Sequence, residues 1–392
     1  MKTKVALRKE AVRLHLQGMS KTEIAKRLKK SRRWVYRWIA RYDRKQGVKS
    51  LEAHSSAPKH RKEVYPQKIK DMTIRSRKAR KAGYGKYSYA LVSAEAMYYE
   101  LRELGVSPLP PPRTIHFWLK QANAIDERQK PRKVSNPTYP LLPCRAVNDV
   151  HELDLKGPFY LQNSSQKYYL AVVRDVFGKR MTLRALKEKE MEQIIDFLIE
   201  TWQKIGRPKF LQMDNALEFR GSNAHPRSLS RLVRVCLDMK VQPVFIPTGE
   251  PWRNGVIENL NSLIQRLFLK AKTFKNERQL VKKTQKLETS INTTHRLPAL
   301  DGKTPNEFAA TAPLRILPSA YDWRKRNLQL VKGKVIFVRL VRKSGRITLT
   351  ADDKFLVGKR YKWQYVQAIV NVQEKQLEFY SMGKRIKSVA YP

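Results

Sequence analysis

Hydrophobic positions along the chain change period in blocks, and the blocks mark its parts. Over residues 1–47 they recur at helical spacing: Val5, Val12 and Leu16 in a first helix, Ile24, Ala25 and Leu28 in a second, Val35 and Ile39 in a third. Gly18 and Met19 end the first helix. Ser20, with Glu23 three residues on, forms a capping box for the second, and Ser31 caps the stretch "SRRWVYRWIARYDRK". A helix, a short turn and a basic second helix make the helix-turn-helix layout. Ser31, Arg32, Arg33, Tyr36 and Arg37 then form the face expected to meet DNA; a plain three-helix bundle is the competing reading.

Residues 48–63 are polar and rich in breakers, as a linker is. Residues 64–126 predict a second helical module, whose last helix begins at "PPPRTIHFWLKQANAI". There Arg113, Thr114, His116 and Lys120 either repeat the role of the first basic helix or form a solvated face. Residues 127–146 read as a Pro-rich, basic linker. From 147 the period shortens: three strand-like runs in close succession, then helix, strand, helix, strand and two closing helices to about 312. That order predicts a mixed sheet with helices on both faces. After a connector over 313–329, short strands separated by turn signals over 330–392 predict a small β-barrel.

Charge changes the picture. The chain has 81 Lys plus Arg against 34 Asp plus Glu, a formal net charge of +47 spread along 392 residues. Such a chain is expected to bind a polyanion, double-stranded DNA foremost, although a ribosomal or membrane-surface protein would also be basic. Cys144 and Cys236 make neither a disulfide framework nor a zinc module. With no membrane-spanning run or signal-like start, the expectation is a cytoplasmic protein without a membrane partner.

Against this excess of cations, a few acids draw notice. Asp154 in "HELDLKG" lies in the first strand of the mixed sheet, and Asp214 in "LQMDNALEF" ends the strand after the first long helix. Either alone could be a strand-end turn residue. Together they can meet at one sheet edge. "PTGEPWRNGVIENLN" offers two candidates for a third acid. Glu250 sits in a Pro-flanked irregular segment. Glu258 sits on a helix whose Ile257, Leu260, Ile264 and Leu267 form the buried stripe, with Glu258, Asn261 and Gln265 in a separate polar row. A packed helix holds a carboxylate more rigidly than a loop, which makes Glu258 the better ligand. Clustered carboxylates repel, and divalent cations relieve that repulsion.

The segments "HELDLKGPF", "QMDNALEF", "PWRNGVIENLNSLIQRLF" and "KTPNEFA" resemble the DDE transposases and retroviral integrases, most closely bacterial insertion-sequence transposases with N-terminal helix-turn-helix modules. The resemblance implies a ribonuclease-H-like core over 147–312, with Asp154, Asp214 and Glu258 as catalytic residues binding two magnesium ions, for which manganese substitutes. It implies hydrolysis at the transposon end followed by strand transfer to target DNA, carried out by a homo-oligomer, a dimer or tetramer. Asn254, Asn261 and Gln265 match positions where the family's helix touches DNA, and Lys156 is a candidate for a phosphate. Two departures stand out. Ala216 replaces a usual glycine, and the gap from Asp214 to Glu258 exceeds that of many relatives, whose shorter spacing Glu250 fits. The polar "RGSNAHPRSLS" reads as an insertion accounting for the longer gap. A DNA-binding regulator without catalysis and a nuclease lacking the joining step are the alternatives.

Overall fold

The computed structural model describes residues 4–52, 64–125, 137–221, 227–329, 331–350 and 353–391. It forms two compact units, Met1–Val64 and Tyr65–Pro392.

In the first unit, α1 (Lys4–Leu16), α2 (Lys21–Leu28) and α3 (Arg32–Ala40) pack around Ala11, Leu14, Ile24, Ala25 and Val35. The capping box is present: the Ser20 hydroxyl accepts from the Glu23 amide, and the Glu23 carboxylate accepts from the Ser20 amide at 3.0 Å. The Ser31 hydroxyl accepts from the Trp34 amide. Two details depart from expectation. Leu16 is 57% exposed, and Trp38 is more deeply buried than its neighbour Ile39. The folded unit also runs beyond residue 47. A single 3-10 turn, Gly47–Leu51, buries Leu51 against Val12 and Trp38, and the Arg8 guanidinium sits 3.7 Å over Trp38 while donating to the Leu51 carbonyl. Most of the expected linker, residues 53–63, lies outside the described residues.

The second unit opens with α4 (Gln67–Ala82), α5 (Ala94–Glu103) and α6 (Pro112–Gln121), packed around Met97, Leu101, Ile115 and Leu119. These helices dock on the sheet-bearing part of the same unit: Tyr89 packs on Phe268, and the buried His295 ring donates to the Tyr89 carbonyl at 2.7 Å. Of the second expected linker, residues 126–136 lie outside the described residues. From 137 the chain packs on the sheet, with Tyr139 and Leu142 against Val244, Ile336, Val338 and Tyr365.

The remaining elements are β1 (Val150–Tyr160), β2 (Lys167–Asp175), β3 (Met181–Leu186), α7 (Met191–Ile205), β4 (Phe210–Met213), α8 (Leu217–Arg220), α9 (Arg231–Asp238), β5 (Gln242–Phe245), α10 (Gly255–Ile264), α11 (Glu277–Thr294), α12 (Pro305–Ala309), β6 (Lys334–Leu340), β7 (Arg346–Thr348), β8 (Lys354–Leu356), β9 (Tyr365–Asn371), β10 (Gln376–Ser381) and β11 (Lys384–Ala390). One nine-stranded sheet has the order β11-β10-β9-β6-β5-β4-β1-β2-β3. β1 runs antiparallel to β2 and parallel to β4, so the sheet is mixed. Side chains alternate across it. Leu153, Ala171, Val173, Leu211 and Met213 face α7 and α9, while Leu170 and Val172 face α10 and α11. β3 is an edge strand that α11 covers: the Glu288 carboxylate accepts from the Leu183 amide, and the Asn292 amide group bonds both the N–H and the carbonyl of Met181. Such cover removes the pairing hazard of a bare edge.

The separate barrel expected over 330–392 is corrected. β6 pairs in parallel with β5, Val244 opposite Ile336 and Phe245 opposite Phe337, and β9, β10 and β11 continue the same sheet; only β7 and β8 form a ribbon of their own. The physical reason lies in β6. Val335 and Phe337 are buried on one face and Ile336 and Val338 on the other, the pattern of a strand covered on both sides.

Candidate active site

Glu152 on β1 is the register partner of Gln212 on β4. Two residues further along the chain stand Asp154, on the same face of β1 as Glu152, and Asp214, the residue directly after β4. Asp154 is half-buried, and one of its oxygens accepts from the Asn261 amide group at 2.5 Å. An oxygen of Asp214 accepts from the Ala216 N–H at 2.9 Å, closing a local turn. Ala216 has φ −57°, which an alanine adopts freely, so this turn does not require the glycine usual in the resembling motif. Asn215 is pinned from two sides, donating to the Ile246 carbonyl at 2.6 Å and accepting from Arg339 at 2.6 Å. Glu258 is exposed in the first turn of α10, and its N–H bonds the Asn254 carbonyl at 2.9 Å.

Electrostatically Asp154 links the other two acids. Burial raises the Asp214 pKa, the Ala216 N–H opposes this, and the charge of Asp154 raises it further. Burial and then Asp154 likewise raise that of Glu258, with Lys156 acting in the opposite direction. Among the described residues, no three His, Cys, Asp or Glu side chains close into a group that could hold a metal ion. The donors nevertheless suit a hard divalent cation. All are oxygens, and the Oδ1 atom of Asn261, which bonds Asp154 through its nitrogen, is buried without a hydrogen-bond partner.

Glu250 is engaged elsewhere. Its carboxylate accepts from Arg253 at 2.9 Å and from the Tyr365 hydroxyl at 2.7 Å, and the Arg253 guanidinium lies 4.3 Å over the Tyr139 ring and 4.8 Å over that of Tyr365. This acid anchors the segment preceding α10.

Ser31, Arg32, Arg33, Tyr36 and Arg37 are all exposed on or beside α3. On α6, Arg113, His116 and Lys120 are exposed and Thr114 is half-buried. Lys156 and Gln265 are half-buried, and Gln265 opens a wide π-helical turn, Gln265–Leu269, that buries Phe268 and leaves Leu267 at the margin of the core. Asn254 and Asn261, expected as DNA contacts, are each 4% exposed. The Asn254 side chain accepts from Gln212 at 2.9 Å, and the Asn261 side chain donates to Asp154.

Sequence reasoning passed over Glu152, which is 3% exposed. Burial pushes its carboxyl up to about 7, opposed by hydrogen bonds from the Ile257 and Val256 amides. Its signal was available, an acid two positions before Asp154 and therefore on the same face of the strand.

Residues 2–51 match a family model described as a homeodomain-like domain, and the first unit is such a helix-turn-helix domain. A comparison with curated proteins gives no match. Among solved structures, the chain is similar to the HTLV-2 integrase catalytic core domain in complex with magnesium, at 19% identity over 42% of this chain and 97% of that chain, with a TM-score of 0.32. It is similar to the simian T-cell lymphotropic virus intasome in complex with the PP2A regulatory subunit B56 gamma, at 16% identity over 75% of this chain and 92% of that chain, with a TM-score of 0.38. It is also similar to the catalytic core domain of BIV integrase, at 16% identity over 41% of this chain and 92% of that chain, with a TM-score of 0.30.

Proposed function

We propose that the protein is a DNA strand transferase of the DDE type, a transposase. The observation that carries this reading is that Asp154 lies on β1 and Asp214 directly follows its parallel neighbour β4, with Glu258 within the electrostatic reach of Asp154, while Glu250 is tied to Arg253 and Tyr365. The homeodomain-like unit and the exposed basic face of α6 supply the grip on double-stranded DNA at an element's ends. Asp154, Asp214 and Glu258 would hold two divalent cations, magnesium or manganese, which when bound stabilise charge on the attacking and leaving oxygens. Asn261 orients Asp154, and Lys156 offers a cation to a phosphate beside Glu258. In the first step water attacks the phosphodiester at the element's end and the strand leaves with a free 3′ hydroxyl. In the second, that hydroxyl's oxygen forms a new bond to a target phosphorus as the target's own P–O3′ bond breaks, and the leaving O3′ takes up a proton in place of the one the attacking hydroxyl gives up. Paired ends imply a dimer or tetramer.

The test uses the full-length protein on labelled duplexes enriched for binding to it. D154N, D214N and E258Q should each lower cleavage and joining by at least about 100-fold with DNA binding kept. E250Q, whose amide still bonds Arg253 and Tyr365, should retain most joining. Loss in E250Q without loss in E258Q would overturn the choice of third acid. Nicking without joined product would favour a nuclease, and binding with neither reaction a regulator.

A further inference from the structure

We infer that Glu152 and Gln212 are positioning residues: a pair of sheet-borne groups that hold the first turn of α10 and so set Glu258 against Asp154 and Asp214. This rests on the strand-transferase reading and adds a function for two residues outside the acidic triad.

The geometry is that of a ruler. Glu152 and Gln212 lie opposite each other in the parallel pair β1–β4, and each precedes one aspartate by two positions. Both side chains reach the same target. The Glu152 carboxylate accepts from the Ile257 N–H at 2.6 Å. The Gln212 amide group donates to the Asn254 side chain at 2.9 Å and to the Arg253 carbonyl at 3.2 Å, and lies 3.4 Å from Glu152. One residue beyond Ile257 stands Glu258, whose own N–H closes on the Asn254 carbonyl.

The first turn of a helix leaves amide donors without partners, and a local Asn at the N-cap ordinarily serves one of them. Asn254 occupies that position, yet its side chain makes no capping bond and accepts from Gln212 instead. The cap comes from β1. Holding a carboxylate out of water is costlier than using the asparagine already in place. The more expensive arrangement accomplishes something a local cap cannot: it fixes the helix end to the strand that carries Asp154 and the strand that Asp214 directly follows. A merely structural role would be satisfied by any cap that keeps α10 folded.

The experiment uses E152A, E152Q and Q212A in the full-length protein, with D154N and E258Q as references. Without added metal, hydrogen exchange of the peptide spanning 254–262 should quicken about tenfold in E152A and Q212A. In E152Q, whose amide oxygen still accepts from Ile257, it should change far less. With magnesium, kcat for joining should fall roughly 100-fold in E152A while KM for DNA stays within about threefold, and E152Q should recover most of the rate. If E152A does not fold, Q212A and E152Q carry the test, Q212A being expected to lose kcat and E152Q to keep it. Unchanged exchange, a loss in KM rather than kcat, or an E152Q as impaired as E152A would overturn the inference. If D154N and E258Q themselves keep full activity, the strand-transferase reading fails first; if they lose it while E152A and Q212A do not, only the positioning role fails.

Discussion

Replacing Arg339 by methionine removes a guanidinium from a buried network and asks whether the C-terminal strands belong to the catalytic core. Arg339 lies on β6, is 5% exposed, and is pushed down to about 9 chiefly by burial, so it stays charged at neutral pH. It donates to the carbonyls of Thr348 (3.0 Å), Ile246 (2.9 Å), Val338 (2.9 Å) and Leu349 (2.8 Å), and to the Asn215 side chain (2.6 Å). Ile246 keeps a second donor, Asn215 itself. The bonds to Leu349 and to Asn215 Oδ1 are lost outright, and hydrogen bonds to a charged group are worth about 1.5–3 kcal/mol each. Methionine fills much of the volume and ends the cost of burying a cation, which offsets part of that loss. The balance is a destabilisation of about 3 kcal/mol, read as a lower urea midpoint for the second unit as a whole. Because Asn215 adjoins Asp214, joining should slow more than DNA binding weakens. An early, separate melting of residues 331–391 with the remaining transition unmoved would refute the reasoning, as would a destabilisation below about 1 kcal/mol.

N292A leaves both the N–H and the carbonyl of buried Met181 without their edge partner, and should cost about 2–4 kcal/mol by denaturant titration; a change below about 0.5 kcal/mol would mean that the edge of β3 needs no cover. Burial lowers the His295 pKa to about 4, below that of the unfolded chain, so the unfolded state takes up the proton first as pH falls. Stability is therefore complete above about 6.5 and lost as pH falls toward 4, at up to about 1.4 kcal/mol per pH unit, and H295Q should flatten that acid limb; an equally steep limb in H295Q would assign the titration elsewhere. On α3, R33A and R37A should each reduce the slope of log K against log salt by about 0.9 on any labelled duplex, and an unchanged slope would exclude those residues from phosphate contact.

Much of the site was legible because its parts are periodic. The capping box at Ser20, the outward face of α3, the mixed sheet and the helix bearing Glu258 are all set by spacing, since burial on one face repeats at the period of the element. The acids were legible as exceptions to that period. Of the polar segment that reads as an insertion between Asp214 and Glu258, residues 222–226 lie outside the described residues; on its flanks the Ser230 hydroxyl donates to the Phe219 carbonyl at 2.6 Å.

What spacing could not reveal is which elements share a polar group. Arg339 reads as one more cation in a chain with 81 of them, and only its carbonyl and amide acceptors mark it as internal. Tyr365 reads as an ordinary strand aromatic until its hydroxyl meets Glu250. Asn254 and Asn261 look like DNA contacts because polar residues on an exposed-looking helix row usually face outward; they are buried because α10 lies on Glu152, Gln212 and Asp154. The expectation of a barrel, where β6 in fact continues the mixed sheet, has the same origin. Short strands with turn signals look alike whether they close on themselves or extend a neighbour, and the deciding fact is a pairing between β5 and β6 across the whole of α10 and α11. That pairing puts Arg339 beside Asn215 and Tyr365 beside Glu250, so strands remote in sequence brace the turn after Asp214 and the segment before α10. A C-terminal truncation at residue 330 should accordingly abolish joining even on DNA that the N-terminal homeodomain-like unit still binds, and a truncated protein that joins at the full rate would show that the bracing is dispensable.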